Sequence, residues 1–74
     1  MGSARPSRQL LDRLRRNLRR ARQARGWSQA DLAAELGVSK SLISRIEQGR
    51  ANITLATVEG LAGALGIDPA DLLS

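Results

Sequence analysis

Leu10, Leu14, Leu18 and Ala21 recur at i, i+4, i+8 and i+11 among polar residues, the spacing that lines one face of an α-helix. The pattern predicts a first helix that begins near residue 8 and ends at Gly26, behind a flexible arm, residues 1–7, that contains Pro6. Stop and start signals then follow closely. Ser28-Gln29-Ala30-Asp31 reads as a capping box, in which the serine hydroxyl and the carboxylate three positions on each satisfy a backbone N–H of the other residue, and it opens a second helix to Leu36. Gly37 ends that helix, Ser39 caps a third from Lys40 to about Gln48, and Gly49 supplies the left-handed residue that closes it. Thr54 is the expected cap of a fourth helix that turns Leu55, Val58, Leu61, Ala62 and Leu65 inward and stops at Gly66. Asp68 as cap with Pro69 in the first helical position opens a short fifth. No alternation of period two marks a strand. The expected fold is therefore all-α, a compact five-helix bundle forming a single domain over residues 8–74.

Composition constrains what such a bundle can be. Of 74 residues 42% are hydrophobic, yet Trp27 is the only aromatic, so the core must be built from Leu, Ile, Val and Ala packed at close helix–helix distances. A domain this small buries a modest share of its unfolded surface, and self-association would help to stabilise it. With no Cys and no His, the chain lacks disulfides, thiolate and imidazole metal ligands, and the Ser-His-Asp and Cys-His nucleophile systems. The sequence reading is thus of a protein that is not an enzyme and needs no metal and no cofactor. Gly60, Gly63 and Gly66 imitate a cofactor loop, but no strand precedes them and Leu61, Ala62, Ala64 and Leu65 continue a helical stripe between them. Gly60 and Gly63 each cost a helix about 0.5–1 kcal/mol relative to Ala. Their presence points to the close approach of another helix. No stretch nears the 18 or so apolar residues of a membrane span, and the segment from Met1 to Arg5 lacks the apolar core of a signal peptide, so a cytoplasmic location is expected.

The charge is polarised. Residues 1–25 hold nine Arg against one Asp, residues 26–50 balance three bases with three acids, and residues 51–74 hold three acids and no base. The overall net charge is +5, and its concentration at one end suggests a polyanionic partner.

The second and third helices, joined by only Gly37-Val38-Ser39, form over residues 28–49 the helix-turn-helix unit that seats a helix in the DNA major groove. Its geometry requires a small residue midway along the first helix, a permissive residue at the turn and branched apolar residues inside the second. Ala33, Gly37, Ile43 and Ile46 meet those needs. Lys40, Ser41, Ser44, Arg45 and Gln48 then share one outward face, a row of hydrogen-bonding groups.

Residues 28–49, SQADLAAELGVSKSLISRIEQG, resemble the helix-turn-helix of the phage repressor/Cro, or XRE-like, family of DNA-binding regulators. The similarity extends to Arg22 before the motif and to NITLATVEGLAGALGIDPADLL after it. It implies a lambda-repressor-like fold and a set of roles. Gln29 would hold a phosphate, Lys40, Ser41 and Arg45 would reach base edges, and Leu42 could touch a thymine methyl. Arg50 and Asn52 match phosphate-contacting positions, and Ser39 and Ser44 complete the DNA-facing set. Arg22 and Glu47 match a structural ion pair between the first and third helices. A two-fold dimer through the fourth and fifth helices, with Gly63, Ile67, Leu72 and Leu73, is also implied. The chemistry of the residues agrees with these roles, since an arginine fork such as that of Arg45 can pair with guanine O6 and N7. Phage members carry Gln where this chain has Lys40 and Ser41, so their operators do not transfer.

Plainer readings compete at several positions. Lys40 and Ser44 could form a solvated face, and Leu42 could be ordinary packing. Arg13, Arg15, Arg16, Arg19 and Arg20 exceed what solubility needs, but whether they contact phosphates or only water stays open, as does a minor-groove role for Arg5. The expected function is a sequence-specific double-stranded DNA-binding transcriptional regulator that occupies a pseudo-palindromic operator as a homodimer. The alternatives are a protein-interaction module, such as an antitoxin whose acidic half holds a toxin, and an arginine-rich amphipathic helix lying on anionic lipid. A toxin or polymerase partner is left open by the sequence.

Overall fold

The structure, a computed structural model, describes residues 8–74, which form five α-helices with no strand among the described residues. They are α1 (Arg8–Ala24), α2 (Gln29–Leu36), α3 (Lys40–Glu47), α4 (Leu55–Leu65) and α5 (Pro69–Leu73). The all-α expectation holds. The arm at 1–7, with Arg5, lies outside the described residues.

The helix boundaries follow from the capping chemistry. Ser28 Oγ accepts from the Asp31 N–H at 3.0 Å while Asp31 Oδ2 accepts from the Ser28 N–H at 2.8 Å, so both halves of the capping box are made. Ser39 and Thr54 cap α3 and α4 through their hydroxyl oxygens, and Asp68 caps α5 through Oδ1, with Pro69 behind it. α3 ends at Glu47, one residue short of the expected limit, because Gln48 already serves as its C-cap.

The core is aliphatic throughout. Leu14 and Leu18 of α1, Leu32 and Ala33 of α2, Ile43 and Ile46 of α3, Val58, Leu61, Ala62 and Leu65 of α4, and Leu72 of α5 form one buried cluster. α1 lies across α3, α4 and α5, and α4 packs on α2 and α5. Gly60 permits the approach of α4 to α2, because a Cβ there would stand 3.2 Å from Leu36 Cδ1 at the end of α2. Gly63 faces open space instead, so only one of the two helix-weakening glycines has a packing reason.

Four apolar positions depart from the sequence pattern. Leu72, expected at a dimer surface, is fully buried, because α5 folds back against α1 and uses this leucine to close the monomer core. Asn17 of α1 fixes that arrangement by donating to the carbonyl oxygens of Leu72 and Ser74 at 3.0 and 3.1 Å. Leu55, expected inside, is 75% exposed because the first turn of α4 overhangs the end of the core. On α1 the inward stripe is Leu14, Leu18 and then Arg22, while Leu10 and Ala21 are half-buried. Leu14 and Leu18 of α1 are therefore committed to the protein core, and Ala21 packs against it. Among the described residues no helix is long and apolar enough to cross a membrane.

Candidate nucleic-acid interface

The turn between α2 and α3 is made by Gly37, whose φ of 76° and ψ of 31° place it in the left-handed region. Its N–H bonds back to the carbonyls of Ala33 and Ala34, and the Val38 N–H bonds to the Ala33 carbonyl at 3.0 Å. These bonds satisfy the carbonyls at the end of α2 and turn the chain within three residues into Ser39. Ala33, the small residue beneath the crossing, is buried. Ile43 and Ile46 are also buried, which fixes the rotation of α3 about its axis. The opposite face of α3 must then point outward.

That face carries the expected row. Lys40, Ser41, Arg45 and Gln48 are exposed, and Ser44 is half-buried, accepting from Gln48 Nε2 at 3.1 Å. Lys40 and Arg45 make no ion pair or hydrogen bond through their side chains among the described residues, so their donors are available. Ser39 Oγ accepts from the Leu42 N–H at 3.1 Å, which leaves its hydroxyl proton free to donate. Leu42 is half-buried against the core, the packing reading of that residue. Arg50 and Asn52 are exposed in the loop after α3, beyond the end of the row.

The orientation of this surface depends on one buried ion pair. Arg22 Nε and Nη2 donate to Glu47 Oε2 and Oε1 at 2.6 and 2.9 Å, a bidentate pair in which only 10% and 5% of the two side chains is exposed. Arg22 Nη1 donates to the Trp27 carbonyl at 2.8 Å, and Gln29 Nε2 adds a bond to Glu47 Oε1 at 3.2 Å. The carboxylate thus joins α1, the first residue of α2 and the last residue of α3. Hydrogen bonding to Glu47 is the main reason the Arg22 guanidinium binds its proton more tightly than usual, against the opposing effect of burial.

Two features of this region are not legible in the sequence. The family resemblance makes Gln29 a phosphate ligand only, yet its amide also steadies Glu47, a residue 18 positions away that only the tertiary fold brings near. Arg25 is held on the other side, its guanidinium 4.3 Å from the Trp27 ring centroid and its Nη1 donating to the Leu65 carbonyl at 3.1 Å. Arg25 therefore helps close the end of α4 rather than serving as a free basic group.

The capping box gives a pH-dependent contribution. The backbone and side-chain hydrogen bonds from Ser28 hold the Asp31 carboxyl below its ordinary value of 3.8. Stabilisation from this group is complete above that unfolded-state value and is lost as pH falls through the lower folded value. In denaturation followed from pH 7 to pH 2, Asp31→Asn is expected to be less stable than the wild type at neutrality, with the gap closing below about pH 4. A gap unchanged at pH 2 would show that the ionised box adds nothing to stability.

Comparison with known proteins agrees with this geometry. Residues 18–72 match a family described as helix-turn-helix. A hypothetical transcription factor of Neisseria meningitidis serogroup B is 40% identical over 57 residues, covering 77% of this chain and 54% of the relative, so the chain spans about half of that protein. The crystal structure of the hypothetical transcription factor NHTF from Neisseria superposes with a TM-score of 0.86 at 36% identity, covering 100% of this chain and 86% of that one. The restriction-modification controller protein C.AhdI from Aeromonas hydrophila superposes with a TM-score of 0.79 at 37% identity, covering 84% of this chain and 94% of its own. By sequence match, by fold and by the turn that presents α3, the chain belongs to the helix-turn-helix family of the phage repressor/Cro, XRE-like kind.

Proposed function

We propose that the protein is a sequence-specific double-stranded DNA-binding transcriptional regulator, acting in the cytoplasm on a pseudo-palindromic operator. The observation that carries this reading is the outward face of α3. Lys40, Ser41 and Arg45 stand exposed on a helix whose other face is locked by Ile43, Ile46 and the Arg22–Glu47 pair. Such a surface can enter a major groove without rearranging. Arg45, an unpaired guanidinium at its middle, is the main base reader, with Lys40 and Ser41 beside it. Gln29, Ser39, Ser44, Arg50 and Asn52 are assigned to phosphates and supporting contacts, and Leu42 to packing with an edge open to a thymine methyl. The similarity to a transcription factor and to a controller protein supports the same reading.

The dimer is assigned to a second copy seated at the base of α4. Leu55 is the exposed large hydrophobic among the described residues, and it borders an apolar groove of about 130 Å³ lined also by Leu10, Leu11, Ile53 and Leu73. Leu73, expected at the dimer surface, lines this groove, whereas Leu72 lies in the core and Gly63 and Ile67 are not among the lining residues. Leu55→Lys is expected to leave the monomer folded while shifting sedimentation from dimer to monomer. A variant that stays dimeric would place the interface elsewhere.

Selection of bound sequences from a random duplex pool at physiological salt tests the function. The expected result is a two-fold symmetric motif with half-sites about one helical turn, 34 Å, apart. Recovery of no motif would remove the reading.

A further inference from the structure

The arginines of α1 divide into two flanks with different surroundings. At about 100° of rotation per residue, Arg8, Arg15 and Arg19 fall in one sector beside Arg22, and Arg13, Arg16 and Arg20 fall in a sector turned roughly 110° from it. The first sector faces α3. Arg15 Cδ lies 3.4 Å from where a Cβ on Gly49 would sit, and Arg8 and Arg15 line one wall of a cleft whose other wall is Gln48 and Gly49. Gln48, the C-cap of α3, is also the last member of the outward row. The outward row therefore continues from the end of α3 directly onto α1.

The charge on this flank is largely uncompensated. Arg15 pairs with Asp12 at 3.0 Å, both side chains more than a third exposed, while Arg8 and Arg19 meet no acid among the described residues. Among the described residues none of the other acids pairs with these arginines: Glu47 is held by Arg22, Asp31 and Asp68 cap α2 and α5, and Glu35, Glu59 and Asp71 are exposed. The cleft adjoins the end of α3, where the helix dipole is negative, and Asp12 lines it as well, so any attraction for an anion there comes from Arg8 and Arg15.

We propose that Arg8, Arg15 and Arg19 form a second phosphate track on α1, which carries the contact past the bases read by α3 onto the flanking duplex backbone. This rests on the DNA-binding reading above and extends it. From Arg19 back to Arg8 the helix runs about 17 Å at 1.5 Å per residue. At 3.4 Å of rise per base pair that length matches about five base pairs. A short operator would leave the track empty, and a longer one would fill it without any change in the bases recognised.

The test compares two variants of equal charge. One carries Arg8→Gln, Arg15→Gln and Arg19→Gln, the other Arg13→Gln, Arg16→Gln and Arg20→Gln. Gln and Arg are similar helix formers, and thermal melts confirm that both variants are folded. Kd is measured from 50 to 200 mM salt on the selected duplex, with and without flanking base pairs. For every phosphate no longer neutralised, the plot of log Kd against log salt should flatten by about 0.9, so the first variant is expected to flatten it by about 2 to 3 and to gain nothing from flanking DNA. The second variant should keep the wild-type slope and flank dependence. Both should keep the wild-type sequence preference. Arg19→Gln alone, which disturbs no ion pair, should flatten the slope by about the value of one phosphate. Equal slopes for the two triple variants would overturn the track while leaving the DNA reading intact. A wild type without sequence preference would remove that reading and the track with it.

Discussion

Glu47→Ala is expected to destabilise the domain by about 3–5 kcal/mol, the usual cost of removing one partner from a buried ion pair. The loss is large because of what remains. Arg22 keeps its charge at every accessible pH, with its side chain only 10% exposed, and two of its three bonds to neighbouring oxygens go to Glu47. Gln29 loses a partner as well. Small domains are stable by roughly 5–15 kcal/mol, and each kcal/mol moves the melting temperature of a chain this size by about 4–8 °C. The variant should therefore melt far below the wild type or fail to fold at room temperature. Replacing both partners together, Arg22→Met with Glu47→Leu, should cost much less, because no charge is left buried. Circular dichroism melts of the single and double variants check this. A Glu47→Ala melt superimposable on the wild type would show that the pair does not hold the bundle together.

Arg45→Ala should leave stability nearly unchanged and cost about 1–3 kcal/mol in binding to the selected sequence, roughly 5- to 150-fold in Kd. Arg45 is exposed on α3 and makes no side-chain bond within the protein among the described residues, so the folded monomer loses little. The weakening should fall at one base position in each half-site. Gln29→Ala should instead weaken all sequences alike, with a small drop in melting temperature from its bond to Glu47. Binding measured on the selected duplex, on single-base variants of it and on random duplex separates the two. Equal weakening on all three for Arg45→Ala would make it a phosphate ligand.

The parts of this architecture that sequence reveals are those set by neighbours a few residues apart. Ser28 and Asp31 close their box, Gly37 makes its turn, and Thr54 and Asp68 cap their helices, because each of these bonds spans four residues or fewer. The outward row on α3 is legible for the same reason, since helical spacing fixes which residues oppose Ile43 and Ile46. The Arg22–Glu47 pair, 25 positions apart, is reached only through family resemblance. What escapes depends on where helices end in space. Leu55 and Leu72 both fit an inward stripe or an uncovered end by spacing alone; the place of Leu55 in the first turn of α4 leaves it exposed, and the return of α5 onto α1 buries Leu72. Arg25 is, by composition, one more basic residue of the first helix, and only the fold brings Trp27 and the end of α4 to it. The two flanks of α1 each carry three arginines, and only the fold sets one of them against Gln48 and Gly49.

On the proposed reading, the exposed face of α3 recognises a specific DNA sequence. The most direct test is the ratio of Kd values for the selected duplex and a scrambled duplex of equal length, measured at about 150 mM salt. Specific regulators bind their sites roughly 10³-fold or more tightly than other DNA, and a ratio of that order is expected. A ratio near one, with both affinities falling together as salt rises, would show that the arginines of α1 account for binding and that α3 reads no sequence.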